Sequence, residues 1–393
     1  MIGDDPWRPV GQRVAVVALF FTFGLLVATW AVYLPGVKQT LATTNSGLGA
    51  ILLASGLGAI AGMQICGRAI DRYGSVPAAL IGAAAMPVVL FLPLMAASLA
   101  GAVAGAASFG VAMGTTDVGM NAAAIEVERR YRRPIMASFH AFFSIGTVCG
   151  ALAGAAIFAT EAGFLATALA CSAAGAVLTT AAAISLRGTR LRQQREKVRT
   201  GSADATGRRR VRLGVLGALA FLLFLAEGSA MDWSSLHTQQ HLHGTPAAGA
   251  VAVGAFVTAM TLGRLTADRI AARIGPVLLL RVGSLLAAGG FVIVMVAPTW
   301  PVALLGWSLA GVGLAGGVPQ VFTAAGSLTR GSGRSLSRVI GIGYVALLAG
   351  PAGVGGLADR VSLNTALLVP LCAALLCAAL SGAVSSTAGA DRD

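Results

Sequence analysis

Twelve segments of the chain are apolar over about the length that a helix needs to cross a lipid bilayer, and this pattern limits the fold class most. A bilayer core about 30 Å thick requires roughly 20 apolar residues per helix. The 393-residue chain is 56% hydrophobic and 11% charged, whereas a soluble domain carries about 25% charged residues. We therefore predict an all-α polytopic membrane protein. The predicted spans are 14–37, 46–66, 76–97, 99–124, 136–159, 162–186, 213–236, 247–267, 276–297, 300–325, 336–358 and 362–385.

The basic residues of the loops predict how the chain is oriented. If the N-terminus is cytoplasmic, all but two of the 28 Lys and Arg residues fall in cytoplasmic segments, and only Lys38 and Arg360 fall outside. Loops rich in Lys and Arg stay on the cytoplasmic side during insertion. We therefore expect a multi-pass protein of the bacterial plasma membrane with both termini in the cytoplasm.

A polar segment divides the predicted spans into two groups of six. It covers residues 187–212 and carries ten Lys and Arg residues. We predict a solvated linker whose charge fixes the topology, and the alternative is a polybasic patch that binds anionic lipid headgroups. Because the net charge of +13 belongs to loops, it does not indicate a nucleic-acid partner. The predicted domains are an N-terminal six-helix half, 1–186, a basic cytoplasmic linker, 187–212, and a C-terminal six-helix half, 213–393.

A short motif occurs twice, in loops at equivalent places in the two halves. Residues 67–74 read GRAIDRYG after span 2, and residues 263–269 read GRLTADR after span 8. The two copies start about half the chain length apart, which indicates duplication of a six-helix unit. Two parallel halves are one of the repeat architectures of secondary transporters.

With this motif the sequence resembles the major facilitator superfamily, whose loop after span 2 reads approximately G-x-x-x-D-R-x-G. Two departures are that Ser75 and Val76 replace a basic pair, and that the second copy places its Asp five residues after its Gly. The resemblance implies twelve helices in two parallel pseudo-symmetric halves, the major facilitator fold. The carboxylates of the two motif copies would interact with a helix dipole and with nearby Arg side chains, and so form a conformational latch. The alternative is a static salt bridge. The predicted latch residues are Gly67, Arg68, Asp71, Arg72, Gly74, Gly263, Arg264, Asp268 and Arg269.

A narrower resemblance is to the branch that contains fucose-type sugar:proton symporters and bacterial inner-membrane permeases. Asp117 and Asn121 match an acid followed four residues later by Asn in span 4, and residues 227–233 match an acidic stretch in span 7. Drug:proton antiporters tend to carry an Arg in span 4 and a Gly-Pro motif in span 5, and neither occurs here. The Gly350-Pro351 pair in span 11, the repeat partner of span 5, keeps a proton-coupled exporter of drugs or metabolites as the alternative.

Ionisable side chains inside the predicted spans are candidates for function, because a charge at a helix centre in a bilayer costs at least about 2.5–3.5 kcal/mol. We predict that Asp117, Glu227 and His140 take part in proton coupling, since a carboxylate in a low-dielectric site can exchange a proton near neutral pH. Asn121 and His140 are expected to face Asp117. For each group, hydrogen bonding within the fold is the alternative.

Further polar side chains are assigned to the solute path. Asp232 and Trp233 lie near the outer surface, where we predict an outer gate or an interfacial anchor. The outer histidines His237, His241 and His243 are expected to form a solvated turn in preference to a metal site. The predicted lining of the substrate cavity is Asn121, Gln64, Gln320 and Trp307.

The sequence carries no motif for catalysis or ATP binding: it lacks a phosphate loop, an HExxH motif and a GxSxG elbow. The five cysteines lie in apolar runs without a CxxC pair, which argues against a disulfide framework or a zinc site. We therefore expect a secondary transporter and not an enzyme, with no cofactor and no metal. The predicted function is proton-coupled symport of a small, sugar-like solute by a monomer in contact with membrane lipids.

Overall fold

The structure, a computed structural model, describes residues 8–159, 163–186, 203–329 and 331–385. Within these ranges the regular structure is helical, without a β-strand. The helices of the first half are α1 Arg8–Thr40, α2 Asn45–Tyr73, α3 Ser75–Val89, α4 Phe91–Leu94, α5 Leu99–Tyr131, α6 Met136–Ala159 and α7 Gly163–Ser185. Those of the second half are α8 Ala203–Gln240, α9 Pro246–Ile274, α10 Pro276–Val296, α11 Trp300–Leu314, α12 Gly317–Thr329, α13 Gly333–Ala358, α14 Leu363–Ala366 and α15 Leu368–Leu380, followed by a 3₁₀ turn, Ser381–Val384.

Twelve helical segments within the described residues are long and apolar enough to cross a membrane, which confirms the predicted number of spans. Several segments run further than predicted. The second continues to Tyr73 and the eighth to Ile274, although their apolar runs end near residues 66 and 267. Apolar composition marks the bilayer core, whereas a helix continues until a residue interrupts its hydrogen bonding.

Three of the spans are interrupted, and a proline follows each interruption. The breaks lie between α3 and α4, between α11 and α12, and between α14 and α15, and they precede Pro93, Pro319 and Pro370. Proline has no N–H for the carbonyl four residues earlier, and its ring clashes with that carbonyl. The carbonyls concerned belong to residues 89, 315 and 366, which lie at or next to the three breaks.

Two glycines end the helices that carry the repeated motif. Gly74 follows α2 with φ = 94°, and Gly275 follows α9 with φ = 81°, a backbone region that favours glycine. Residues 67–73 and 263–269 therefore form the final turns of α2 and the last part of α9. The prediction that these motifs lie in loops was wrong, because a polar run at a bilayer boundary has the composition of a loop while it continues a helix.

The two halves pack their helices in the same order. In the first half α2 packs on α5, α3 on α5, and α1 on α7. The corresponding helices of the second half do the same, with α9 on α11, α10 on α11, and α8 on α15. The fold thus consists of two pseudo-symmetric six-helix halves, as predicted.

Glycines permit the closest of these packings. A Cβ added at Gly62 would overlap the backbone of α5, and one added at Gly114 would overlap the backbone of α2. In the second half, Gly290 and Gly306 lie against each other's backbone in α10 and α11. Small residues of this kind let membrane helices approach until their backbones touch.

The contacts divide the described residues into two compact units. Unit 1 contains those within 1–132, 142–195 and 329–338, and unit 2 contains those within 133–141, 196–328 and 339–393. The first residues of α6 therefore group with unit 2, and those of α13 with unit 1. Of the predicted linker, residues 187–202 lie outside the described residues, and residues 203–212 form the beginning of α8.

Candidate functional site

In unit 1 the carboxylate of Asp71, near the end of α2, binds the first residues of α13. Its Oδ1 accepts a hydrogen bond from the backbone N–H of Gly333 at 2.8 Å, and its Oδ2 lies 3.5 Å from Nε of Arg334. The first amides of a helix have no acceptor within that helix. Asp71 therefore supplies an acceptor to α13 and places a negative charge at the positive end of its dipole.

Close backbone contact accompanies this carboxylate at the crossing of α2 and α13. A Cβ added at Gly333 would lie 2.6 Å from the carbonyl oxygen of Gly67, and one added at Gly67 would overlap the hydroxyl of Ser337. Nε2 of Gln64 donates to the carbonyl oxygen of Ser337 at 3.4 Å. Gln64, which we predicted to line the substrate cavity, is half-buried and lies at this crossing.

Arg68 and Arg72 of the first motif copy are exposed. Nη1 of Arg68 donates to the carbonyl oxygen of Gln64, one turn earlier, at 3.4 Å. The guanidinium of Arg72 lies 5.3 Å from the ring centroid of Tyr73, within the range of a cation–π contact. The arginine that forms an ion pair with Asp71 is thus Arg334 of α13, which the motif alone does not indicate.

In unit 2 the carboxylate of Asp268 binds the first turn of α6 in the same manner. Oδ1 accepts from the N–H of Ala137 at 2.8 Å, and Oδ2 accepts from the N–H of Ser138 at 2.7 Å. Asp268 is buried, and Arg269 beside it is exposed. Gly263, at the start of this motif copy, would place a Cβ 2.7 Å from the Cβ of Ala315. Each motif copy thus supplies one carboxylate that caps a helix of the other sequence half.

A buried ion pair joins α8 to α9 in the same unit. Nη2 of Arg264 donates to Oε1 of Glu227 at 3.0 Å and to Oε2 at 3.2 Å. Arg264 is 3% exposed and Glu227 is 9% exposed. We predicted Glu227 as a proton-coupling group and Arg264 as a latch residue, and the structure brings the two together. Each charge offsets the cost of burying the other.

His140 lies in α6, two residues after the second amide that Asp268 binds, and belongs to unit 2. It is 8% exposed, and its ring centroid is 6.0 Å from that of Phe322 in α12. Asp117 and Asn121, which we expected His140 to face, belong to unit 1. Within its own unit His140 thus lies near the capped end of α6.

Asp117 and Asn121 form a buried pair on α5. Nδ2 of Asn121 donates to Oδ1 of Asp117 and to its backbone carbonyl oxygen, both at 2.9 Å. Asp117 is 6% exposed and Asn121 is fully buried, and its Oδ1 has no hydrogen-bond partner among the residues that the structure describes. Asp117 stands fourteen residues before the end of α5 at Tyr131, about 21 Å along the axis at about 1.5 Å per residue. The structure therefore brings these two predicted residues together deep inside a span.

Of the other predicted cavity residues, Gln320 lies buried in the first turn of α12. Trp307 in α11 is fully buried. Its ring centroid is 6.0 Å from that of His237 and 6.1 Å from that of Phe291. The indole thus packs inside unit 2 between side chains of α8 and α10.

The predicted outer gate lies on α8, where Asp232 is exposed and Trp233 is half-buried. The indole ring of Trp233 packs over Gly355 of α13, where an added Cβ would lie 3.0 Å from it. His237 belongs to α8 rather than to a solvated turn: it is fully buried, and Nε2 lies 3.0 Å from Oδ1 of Asn364. In the described part of the chain, no group of three or more His, Cys, Asp or Glu side chains has a metal-binding arrangement.

Comparison with known proteins identifies the family of this chain. The family model of the Major Facilitator Superfamily matches residues 15–243. An uncharacterised transporter of this type from Yersinia pestis is 33% identical over 358 residues, which cover 91% of each chain.

Two solved structures share the fold. The fucose:proton symporter FucP of E. coli has a TM-score of 0.76 at 14% identity and covers 95% of this chain and 98% of its own. The proton:xylose symporter XylE has a TM-score of 0.69 at 14% identity and covers 94% of each chain. With a family match over more than half of its length, the chain belongs to the major facilitator superfamily and is a twelve-span membrane transporter of small molecules, not an enzyme.

Proposed function

We propose that this transporter is a proton-coupled symporter, which moves a small, sugar-like solute across the bacterial plasma membrane by alternating access of its two halves. The observation that carries the proposal is a buried carboxylate in each half: Asp117 bonded to Asn121, and Glu227 bonded to Arg264. Acidic groups within a membrane are costly and mark ion pathways. A group that exchanges a proton there links the proton gradient to the solute.

The roles within this proposal follow the position of each group. Asp117 is the primary proton-coupling residue, with Glu227 and His140 as further members, while Asn121, Gln64, Gln320 and Trp307 contribute to solute binding. Asp232 and Trp233 form the outer gate. FucP and XylE are sugar:proton symporters by name. At 14% identity they support the proposal through the fold alone.

The two capping carboxylates are the proposed conformational latch. Asp71 binds a helix start at residues 333–334, and Asp268 binds another at residues 137–138. Each of these helix starts belongs to the sequence half that does not contain the carboxylate. Movement of the halves 1–186 and 213–393, joined by the linker 187–212, would therefore make and break these bonds.

The proposed orientation places both termini in the cytoplasm, with a monomer as the working unit. Large apolar side chains such as Val88, Val177 and Val296 are exposed, as expected for surfaces that contact lipid. Basic loop residues then lie on the cytoplasmic side.

Proton-coupled export of drugs or metabolites is a second candidate, and the observation in its favour is the glycine-rich proline site of α13. Pro351 lies inside this helix, in the sequence Gly350-Pro351-Ala352-Gly353. A proline within a helix removes a backbone hydrogen bond and bends it. Drug:proton antiporters tend to carry such a Gly-Pro motif in span 5, and the helix that carries it here is the repeat partner of span 5.

Transport into proteoliposomes tests the proposal. The purified full chain is reconstituted, and labelled neutral monosaccharides, including fucose and xylose, are added outside with an acidic exterior. Symport predicts accumulation above the external concentration, which a protonophore abolishes. Proton-driven extrusion of a lipophilic cationic dye, without accumulation of a monosaccharide, would instead support proton-coupled export. If the solute only equilibrates across the membrane, to an extent that does not depend on the pH gradient, both proton-coupled symport and proton-coupled export are contradicted.

A further inference from the structure

Arg281 interrupts an exposed face of α10 in unit 2 that is otherwise apolar. Leu278, Val282 and Leu285 on this face are 46%, 51% and 50% exposed, and Arg281 among them is also exposed. Their spacing of three and four residues places the four side chains on one stripe of the helix. An exposed apolar stripe on a membrane span is a surface that contacts lipid. Arg281 therefore carries its charge at the lipid surface, about 7.5 Å along the axis from the first residue of α10.

Arg281 and Arg212 of α8 bind the same short turn. Nε of Arg281 donates to Oγ of Ser381 at 3.0 Å, and Nε of Arg212 donates to the carbonyl oxygen of Ala383 at 2.9 Å. Both acceptors belong to the 3₁₀ turn that follows α15, and Nη2 of Arg212 also donates to the residue after this turn. These bonds hold two guanidinium groups at one corner of unit 2, where α8 and α10 both pack on the turn.

The acceptors in this turn are neutral, so they leave both positive charges uncompensated. Within the described residues, no ion pair involves Arg212 or Arg281. Helices α10 and α15 and the 3₁₀ turn contain no Asp or Glu. A guanidinium has five N–H donors, and Arg281 uses one of them in its bond to Ser381. Both arginines therefore retain N–H donors and a positive charge with which to bind an anion.

We propose that this corner of unit 2 binds the headgroup of an anionic phospholipid, with Arg281 as the main contact and Arg212 as the second. The phosphate accepts N–H donors of the guanidinium groups, since arginine matches the geometry of phosphate oxygens. The acyl chains lie along the stripe of Leu278, Val282 and Leu285. Basic pockets between membrane helices on the cytoplasmic side bind anionic headgroups, and the proposed orientation puts this corner on that side.

The apolar stripe is the observation that favours a phospholipid over a free anion. A free anion requires only the charge, whereas a phospholipid also requires an exposed apolar surface directly beside it, and α10 supplies both. The site also differs from the polybasic alternative for the linker 187–212, because its main contact, Arg281, lies in α10.

Native mass spectrometry of the purified full chain tests the inference. The protein is titrated with phosphatidylglycerol or with phosphatidylcholine that has the same acyl chains. We expect the wild type to bind phosphatidylglycerol more tightly, by about tenfold or more. Arg281→Gln should weaken phosphatidylglycerol binding about fivefold, and Arg212→Gln/Arg281→Gln about 25-fold, as expected for the loss of one and two basic side chains at an anionic headgroup. Equal affinity of the wild type for the two lipids would overturn the inference.

Arg273→Gln is the matched control, because Arg273 is exposed and lies at the same end of the unit, near the end of α9. It removes the same charge from outside the corner and should change the affinity less than about twofold, since salt screens distant charges. Arg281→Lys keeps the charge without the bond from Nε to Ser381, and it should retain most of the affinity because lysine binds phosphate as a point charge. A loss in Arg273→Gln or in Arg281→Lys as large as that in Arg281→Gln would overturn the inference.

Two further measurements detect a different occupant of the corner. Inorganic phosphate at millimolar concentration should not displace phosphatidylglycerol, and displacement would assign the corner to a free anion. Asp391 and Asp393, which lie outside the described residues, are acids of the chain itself. Asp391→Asn/Asp393→Asn should leave the affinity unchanged, and a rise of about fivefold or more, as for one basic side chain set free, would show that these acids occupy the corner in place of a lipid. Since no flux is measured, each result is independent of the proposed symport.

Discussion

At the residue scale, the Glu227–Arg264 pair allows a stability prediction because both charges are buried. Arg264→Gln leaves the Glu227 carboxylate without its cation, and removing one partner of a buried ion pair costs about 3–5 kcal/mol. Replacing both partners with neutral residues of similar size is often nearly neutral. We therefore expect Arg264→Gln to lower the thermal unfolding temperature in detergent, and Glu227→Gln/Arg264→Gln to recover most of the loss.

The matched control for this prediction is Arg269→Gln, on the same helix but exposed. Exposed substitutions without special contacts usually change stability by less than about 0.5 kcal/mol. Equal losses in Arg264→Gln and Arg269→Gln would show that the buried pair has no particular role in stability.

The sequence indicates single residues of the site better than their partners. Asp117 and Asn121 are four residues apart, so helical periodicity predicts their contact, and the structure confirms it. Glu227 and Arg264 lie on different helices, and neither motif nor spacing points from one to the other. Their pairing depends on how α8 packs on α9, which hydropathy does not encode.

At the element scale, the crossing of α2 and α13 depends on the absence of a side chain at Gly67. A Cβ there would overlap Ser337, whereas one at Gly49 on the same helix would meet no atom of the described part of the chain within 4 Å. Gly67→Ala should therefore destabilise the protein, since overpacking costs about 1–3 kcal/mol. Gly49→Ala should be neutral or stabilising, because alanine favours a helix by about 1 kcal/mol over glycine.

Thermal unfolding of the two purified variants compares these glycines directly. The expected order of unfolding temperatures is Gly49→Ala at or above the wild type and Gly67→Ala below it. A Gly67→Ala variant as stable as Gly49→Ala would mean that α2 and α13 are not held in close contact in the membrane protein.

Hydropathy predicts the number of membrane spans, and it fails at their ends for a physical reason. The motif residues around Asp71 and Asp268 are polar, so they read as loops, but they continue α2 and α9 until Gly74 and Gly275. Their partners are mainly backbone amides of α13 and α6. An amide is present in almost every residue, so the sequence carries no signal that selects Gly333, Ala137 or Ser138.

At the scale of the whole molecule, duplication explains the shared packing order of the two halves, and divergence explains their different chemistry. Both halves cap a helix with a motif carboxylate. The first half adds the Asp117–Asn121 pair inside α5, whereas the second half adds the Glu227–Arg264 pair between α8 and α9. The proposed proton pathway therefore uses different side chains in the two halves.

The orientation of the molecule is testable by labelling single cysteines in a variant without the five native ones. Because basic segments remain cytoplasmic, Ala205→Cys should not react with an impermeant thiol reagent added to intact cells. Leu242→Cys, in the loop between α8 and α9, should react. The reverse pattern would invert the proposed topology, and permeabilised cells provide the control for reactivity of both sites.

The central claim, that Asp117 couples protons to solute movement, is tested most directly by Asp117→Asn in proteoliposomes. Asparagine keeps the size and hydrogen-bonding capacity of the side chain but cannot titrate. We expect it to abolish accumulation driven by a pH gradient and largely to retain counterflow exchange, which requires no net proton movement. Asp359→Asn, at an exposed acid, should behave as the wild type. Normal accumulation by Asp117→Asn together with its loss in Glu227→Gln would contradict the claim and place the coupling site in α8.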